Sequence, residues 1–96
     1  MAAPREDRTQ ERVLIIEAEP QMLRVLAVML AGHGYRTDVA DNGQAGLAAA
    51  ARCLPDAIIV DLALPDQNGI EVINSLRREL LGPLARSSAH AHRSTF

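Results

Sequence analysis

Ninety-six residues make room for one small domain. An apolar content of 48% excludes a disordered chain, and a net charge of −2 gives no basis for an electrostatic nucleic-acid binder, so no DNA binding is expected. Cys53 is the single cysteine, which rules out an internal disulfide, and no apolar run approaches the roughly 20 residues of a bilayer span.

Residues 1–11 are polar and charged, without the apolar segment of a signal peptide. They are expected to be a flexible lead, and the protein to be cytoplasmic and away from membranes. Residues 13–16, "VLII", form a β-branched apolar run that predicts a buried strand ending on Glu17. Pro20 suits the first turn of a helix. Behind it Met22, Val25, Leu26, Met29 and Leu30 recur at helical spacing and predict one inward face. Gly32 and Gly34 end that helix.

Residues 35–40 alternate and predict a half-exposed edge strand. "DNG" at 41–43 is a turn and helix start, after which Leu47, Ala50, Ala51 and Leu54 give a second helical stripe, stopped by Pro55. Residues 57–60, "AIIV", predict a second buried strand that closes on Asp61. "LPDQNG" at 64–69 reads as a loop, and residues 70–81 as a third helix with Ile73, Leu76 and Leu80 inward. Strand and helix alternate with short connections, which predicts right-handed βαβ units on a parallel sheet. From residue 82 the apolar period is lost. Residues 82–96, with "HAH" at 90–92, are expected to be a low-order solvated tail, and residues 12–81 the domain.

Ligands of open α/β sheets bind beyond the carboxyl ends of the strands. Glu17 and Glu19 follow the first strand and Asp61 ends the third, so acids gather at one sheet edge, where they repel unless a cation lies between them. Hard oxygen donors suit Mg²⁺. "DNG" followed by Gly46 lacks the glycine spacing and the lysine of a phosphate-binding P-loop.

The stretches "VLIIEAEPQMLRVLAVMLAGHGY", "VADNGQAGLAAA" and "PDAIIVDLALPDQNGIEVINSLR" resemble the receiver domain of two-component response regulators, of the kind that precedes winged-helix domains. The resemblance covers about residues 12–80. It implies a flavodoxin-like α/β receiver fold, here shortened to a three-stranded parallel sheet in the order 2-1-3 with three helices. It implies phosphorelay signalling, with Asp61 accepting a phosphoryl group from a sensor histidine kinase or phosphotransfer protein. It also implies an Mg²⁺ site built from Glu17, Asp61 and the backbone carbonyl of Ala63, with Glu19 a further candidate.

The chain departs from that pattern in two places. Ala18 stands where the family has a direct Asp ligand, so Mg²⁺ binding is expected to be weak or lost. Sequence for the fourth and fifth strands, with their phosphoryl-holding Ser or Thr and Lys, is not recognisable, and the chain contains no Lys. Three readings remain open: a signalling receiver impaired by its lost ligand and shortened sheet, a non-phosphorylated module that docks a kinase around Gln21, Arg24 and Val25, or a non-functional receiver fragment. An enzyme acting on an external metabolite is not expected. The outer edge of the third strand is expected to be bare and to favour self-association.

Overall fold

The computed structural model describes residues 10–81 and 89–92. The two β-branched apolar runs become the central strands, β1 (Arg12–Ile16) and β3 (Ala57–Asp61), because such residues fit a pleated surface buried on both faces. Between them come α1 (Pro20–Gly32), the edge strand β2 (Arg36–Ala40) and α2 (Gly43–Cys53). After β3 follow α3 (Gly69–Leu76), a π-helical turn over Arg77–Leu81, and a short strand β4 (Ala89–His92).

The sheet runs β2-β1-β3-β4 with every pairing parallel. The order 2-1-3 is thus present as expected, with its registers set by Ile16 beside Ala40 and beside Val60. Beyond α2, two features differ from the sequence reading. The third helix does not continue as a regular α-helix over 70–81, since the backbone beyond Leu76 winds more widely. The outer edge of β3 is not bare either. Ala89–His92 lies along it, pairing Ile58 with Ala89 through to Asp61 with His92, and it occupies the edge invoked for self-association.

The physical reason is that an unpaired strand edge presents a row of unmet N–H and C=O groups, which four further residues of backbone can satisfy. Those four residues belong to the segment read as a low-order tail. The rest of that tail, and residues 1–9 of the expected lead, lie outside the described residues.

One face of the sheet is sealed. Leu14 and Ile16 of β1 and Ile58 and Val60 of β3 pack with Ala49 and Ala50 of α2, with Val72, Ile73 and Leu76 of α3, and with Ala40 and Leu64. The small residues let α2 approach closely. A β-carbon added at Gly46 would lie 2.8 Å from Ile16 Cγ1, so this position carries α2 against the last residue of β1.

Among the described residues the other face is covered by α1, which rests on β1 and β2. Val13 and Ile15 are buried there. The expected inward face of α1 divides, with Met22, Leu26 and Leu30 half-buried while Val25 and Met29 are 52% and 55% exposed. The apolar stripe is therefore wider than the surface available to it. Leu54 ends α2 in the left-handed region (φ 50°), a conformation more often given to glycine.

Candidate functional site

The carboxyl ends of β1 and β3 lie side by side, and each delivers an acid. Glu17 follows Ile16, and its amide donates to the Ala40 carbonyl of β2 at 2.9 Å, which extends the sheet by one residue. Asp61 is the last residue of β3. Because Ile16 stands in register with Val60, Glu17 and Asp61 occupy the next step on neighbouring strands. Both side chains are inside the protein, at 0% and 2% exposure. Burying carboxylates is costly unless hydrogen bonds or a counter-charge offset it. Part of that offset is visible: Glu17 Oε2 accepts from the Glu19 amide at 3.2 Å, and Asp61 Oδ1 accepts from the Ala63 amide at 3.0 Å.

Glu19 has a different task. It is the N-cap of α1, with extended backbone (φ −82°, ψ 117°), and its Oε1 accepts from the Met22 amide at 2.8 Å. This bond meets one of the orphan donors of a helix start, ahead of Pro20 in the first turn. Ala18, between the two acids, is half-buried and packs against the apolar core. It brings no side-chain oxygen.

Among the described residues no group of three or more His, Cys, Asp or Glu side chains converges on a point suited to a metal ion. Glu17 and Asp61 remain as the buried side-chain oxygens at this edge, and Mg²⁺, which keeps several waters and is commonly held by one or two carboxylates, would draw on those two. The structure places Glu17, Asp61 and Ala63 around the same sheet edge, and gives Glu19 to the helix.

The loop from Leu62 to Asn68 determines how Asp61 is presented. Ala63 forms an isolated antiparallel bridge with Asn68, and the Gly69 amide donates to the Leu62 carbonyl at 3.2 Å. Asn68 caps α3 through its Oδ1, which accepts from Ile70 at 2.7 Å. Gly69 lies against the backbone of Asp61 and Leu62, where a β-carbon would come within 2.7 Å of Leu62 Cα.

Asp66, read from sequence only as loop punctuation, reaches across to α2. Its Oδ1 accepts from the Gly43 amide at 2.7 Å and its Oδ2 from the Gln44 amide at 2.9 Å. These two bonds hold its carboxyl below the usual 3.8, in the sense expected for an anion at a helix N-terminus. The sequence signal available was the helix start at "DNG". What it lacked was the pairing of that start with an acid 23 residues away.

A carboxyl lowered by folding contributes stability that is full above its unfolded value. That contribution shrinks as pH falls below 3.8 and disappears once pH passes the lower folded value. The stability difference between the wild-type chain and Asp66→Ala, followed by urea unfolding, is therefore expected to be constant above about pH 5 and to narrow below 3.8. A difference that widens on acidification would contradict this.

Comparison with known proteins gives a consistent outcome. The family model described as "Response regulator receiver domain" matches residues 13–95. The transcriptional regulatory protein KdpE of Mycobacterium tuberculosis is 44% identical over 82 residues, which cover 85% of this chain and 36% of KdpE. The chain thus spans about a third of the length of that relative.

Among solved structures, the CheY-like receiver domain from Methylobacillus flagellatus superposes with a TM-score of 0.78 at 26% identity, covering 88% of this chain and 70% of that one. The response regulator TrrA from Thermotoga maritima, solved in complex with Mg²⁺-BeF, superposes with a TM-score of 0.71 at 30% identity, covering 74% of this chain and 62% of its own.

Proposed function

Because the chain belongs to the response regulator receiver family, we propose that Asp61 is its phosphoacceptor, receiving a phosphoryl group from a sensor histidine kinase or a phosphotransfer protein. The observation that carries this reading is the carboxylate closing β3, held at Oδ1 by the Ala63 amide at the carboxyl edge of the sheet. A positioned carboxylate is the nucleophile such a transfer needs. A carboxylate oxygen of Asp61 attacks phosphorus. The new O–P bond forms as the P–N bond of the donor phosphohistidine breaks, and the departing imidazole takes the electron pair and a proton from water.

Charge spread over the transferring group has to be stabilised by cations or oriented dipoles. This chain has no lysine, and Ala18 supplies no metal-binding oxygen. We therefore read the transfer as impaired, with Mg²⁺ bound weakly or not at all, and we route no step through a metal ion. Asp61→Asn keeps the shape of the side chain and removes the nucleophile. Incubation with acetyl phosphate, read by intact mass, is expected to add one phosphoryl group slowly to the wild-type chain and none to Asp61→Asn. Equal labelling of both proteins would place the acceptor elsewhere.

A second reading, a module that docks a kinase without chemistry, is favoured by the open face of α1. Val25 and Met29 are exposed there, and Glu19, Gln21, Met22 and Val25 line a shallow hollow. Arg24 lies on the same exposed stretch. Under this reading, capture of a phosphotransfer protein survives Asp61→Asn and falls with Val25→Asp.

Neither reading calls for DNA contact by these residues, for turnover of an external metabolite or for a membrane. No helix among the described residues is long and apolar enough to cross one. A partner kinase domain facing the cytosol would place the protein in the cytoplasm.

A further inference from the structure

The two acids of the site are braced by the same helix. At its first turn α2 lies against Ile16, the residue before Glu17, through the missing side chain of Gly46. Its two leading amides, from Gly43 and Gln44, are taken by the two oxygens of Asp66 at 2.7 and 2.9 Å. Asp66 sits in the loop whose other end aligns the acceptor, with Ala63 donating to Asp61 Oδ1 and Gly69 folded back onto Leu62. The side chain of Gln67, next along this loop, lies over Gly43, within 2.7 Å of where a β-carbon would be. The loop is therefore tied down at a point three residues beyond Ala63, to an element that is itself fixed to β1.

We propose that Asp66 is a positioning residue: its bidentate hold on the first amides of α2 fixes the 62–68 loop and thereby the Ala63 amide that orients the Asp61 carboxylate. Its importance to transfer rests on the reading of Asp61 as acceptor. The mechanical claim does not. A carboxylate suits this role because each oxygen meets one orphan donor of the helix start, and charge-assisted bonds are about twice as strong as neutral ones. Neither amide has an acceptor within its own helix. Without Asp66 both would turn to water, and the loop would lose its tie to α2.

The test is amide hydrogen exchange on the full chain, resolved by residue, for the wild type, Asp66→Ala and Asp66→Asn. In Asp66→Ala, Gly43 and Gln44 are expected to exchange faster, and Ala63 about tenfold faster with them, while Leu14 and Val60 in the central strands keep their rates. Asp66→Asn retains one good acceptor and is expected to raise Ala63 exchange by about threefold. It also serves as the variant to measure if Asp66→Ala does not fold.

Faster exchange at Gly43 and Gln44 with Ala63 unchanged would overturn the proposal, reducing Asp66 to a local helix cap. An equal rise at Ala63, Leu14 and Val60 would also overturn it, by showing general loosening. The measurement uses no phosphodonor, so it stands or falls separately from acetyl phosphate labelling of Asp61.

Discussion

Ala18→Asp is expected to strengthen Mg²⁺ binding by at least about tenfold, since a missing direct oxygen ligand is a larger loss than the outer-shell changes that already alter metal affinity by that amount. Position 18 follows Glu17, which with Asp61 is already buried, at 0% and 2% exposure. A third carboxylate there is expected to add an oxygen donor, but only in the presence of the ion. In its absence the substitution attaches a carboxylate to a β-carbon that packs on the core and sets like charges side by side, at a cost of about 1–3 kcal/mol. The variant should therefore melt below the wild type without Mg²⁺ and regain stability as Mg²⁺ is added, because a ligand that binds only the folded state stabilises it by mass action. Thermal melts across a Mg²⁺ series, with Ca²⁺ as a comparison ion, read both effects. A variant whose melting temperature ignores Mg²⁺ would mean that the geometry of this edge, not only the residue at 18, is unsuited to the ion.

Gly69→Ala is expected to destabilise the fold by about 1–3 kcal/mol, the usual cost of forcing extra volume into a packed site. The added methyl would meet the main chain of Asp61 and Leu62, which cannot rotate away as a side chain would. Either α3 moves outward, opening the layer made by Val72, Ile73 and Leu76, or the end of β3 shifts and carries Asp61 with it. Gly43→Ala is the matched control, because there the obstacle is the flexible Gln67 side chain, and a change well under 1 kcal/mol is expected. For a domain of 96 residues, where total stability is typically about 5–15 kcal/mol, the Gly69 effect is large enough to shift a denaturation midpoint clearly. Equal midpoints for the two alanine variants would refute the backbone contact.

The central strands were legible because β-branched runs bounded by turn residues carry their own signal. Ile16 and Val60 sit in the sheet where the pattern "VLII" and "AIIV" puts them. The acids at the strand ends followed from the same pattern, since whatever residue succeeds a buried strand must emerge at the sheet edge. Glu19 was harder to place. Its type suits either a ligand or a helix cap, and the choice depends on the turn of backbone that aims it at the Met22 amide. Asp66 was not legible at all, because its partners are main-chain amides and every residue but proline has one. The same holds for β4. "AHAH" is too short to carry a period, and it is recruited by the unmet hydrogen bonds of β3, not by its own propensity. On α1 the pattern overstated burial, because periodicity reports an apolar stripe but not how much of it a neighbour covers.

The strand order also bears on the sequence of events during synthesis. In β2-β1-β3-β4 each inner strand is made before the outer strand that flanks it, and β4 is laid alongside β3 without any earlier element having to part for it. By the time Asp61 leaves the ribosome, β1 and β2 are already available to pair with each other and with β3. Residues 89–92 follow 28 to 31 positions later, about one to six seconds at ordinary translation rates. For that interval the strand that ends in Asp61 is the growing margin of the nascent sheet, able to pair with whatever extended chain is nearest. Crowding on polysomes would then be the condition under which strand exchange between neighbouring copies competes with closure by the chain's own β4.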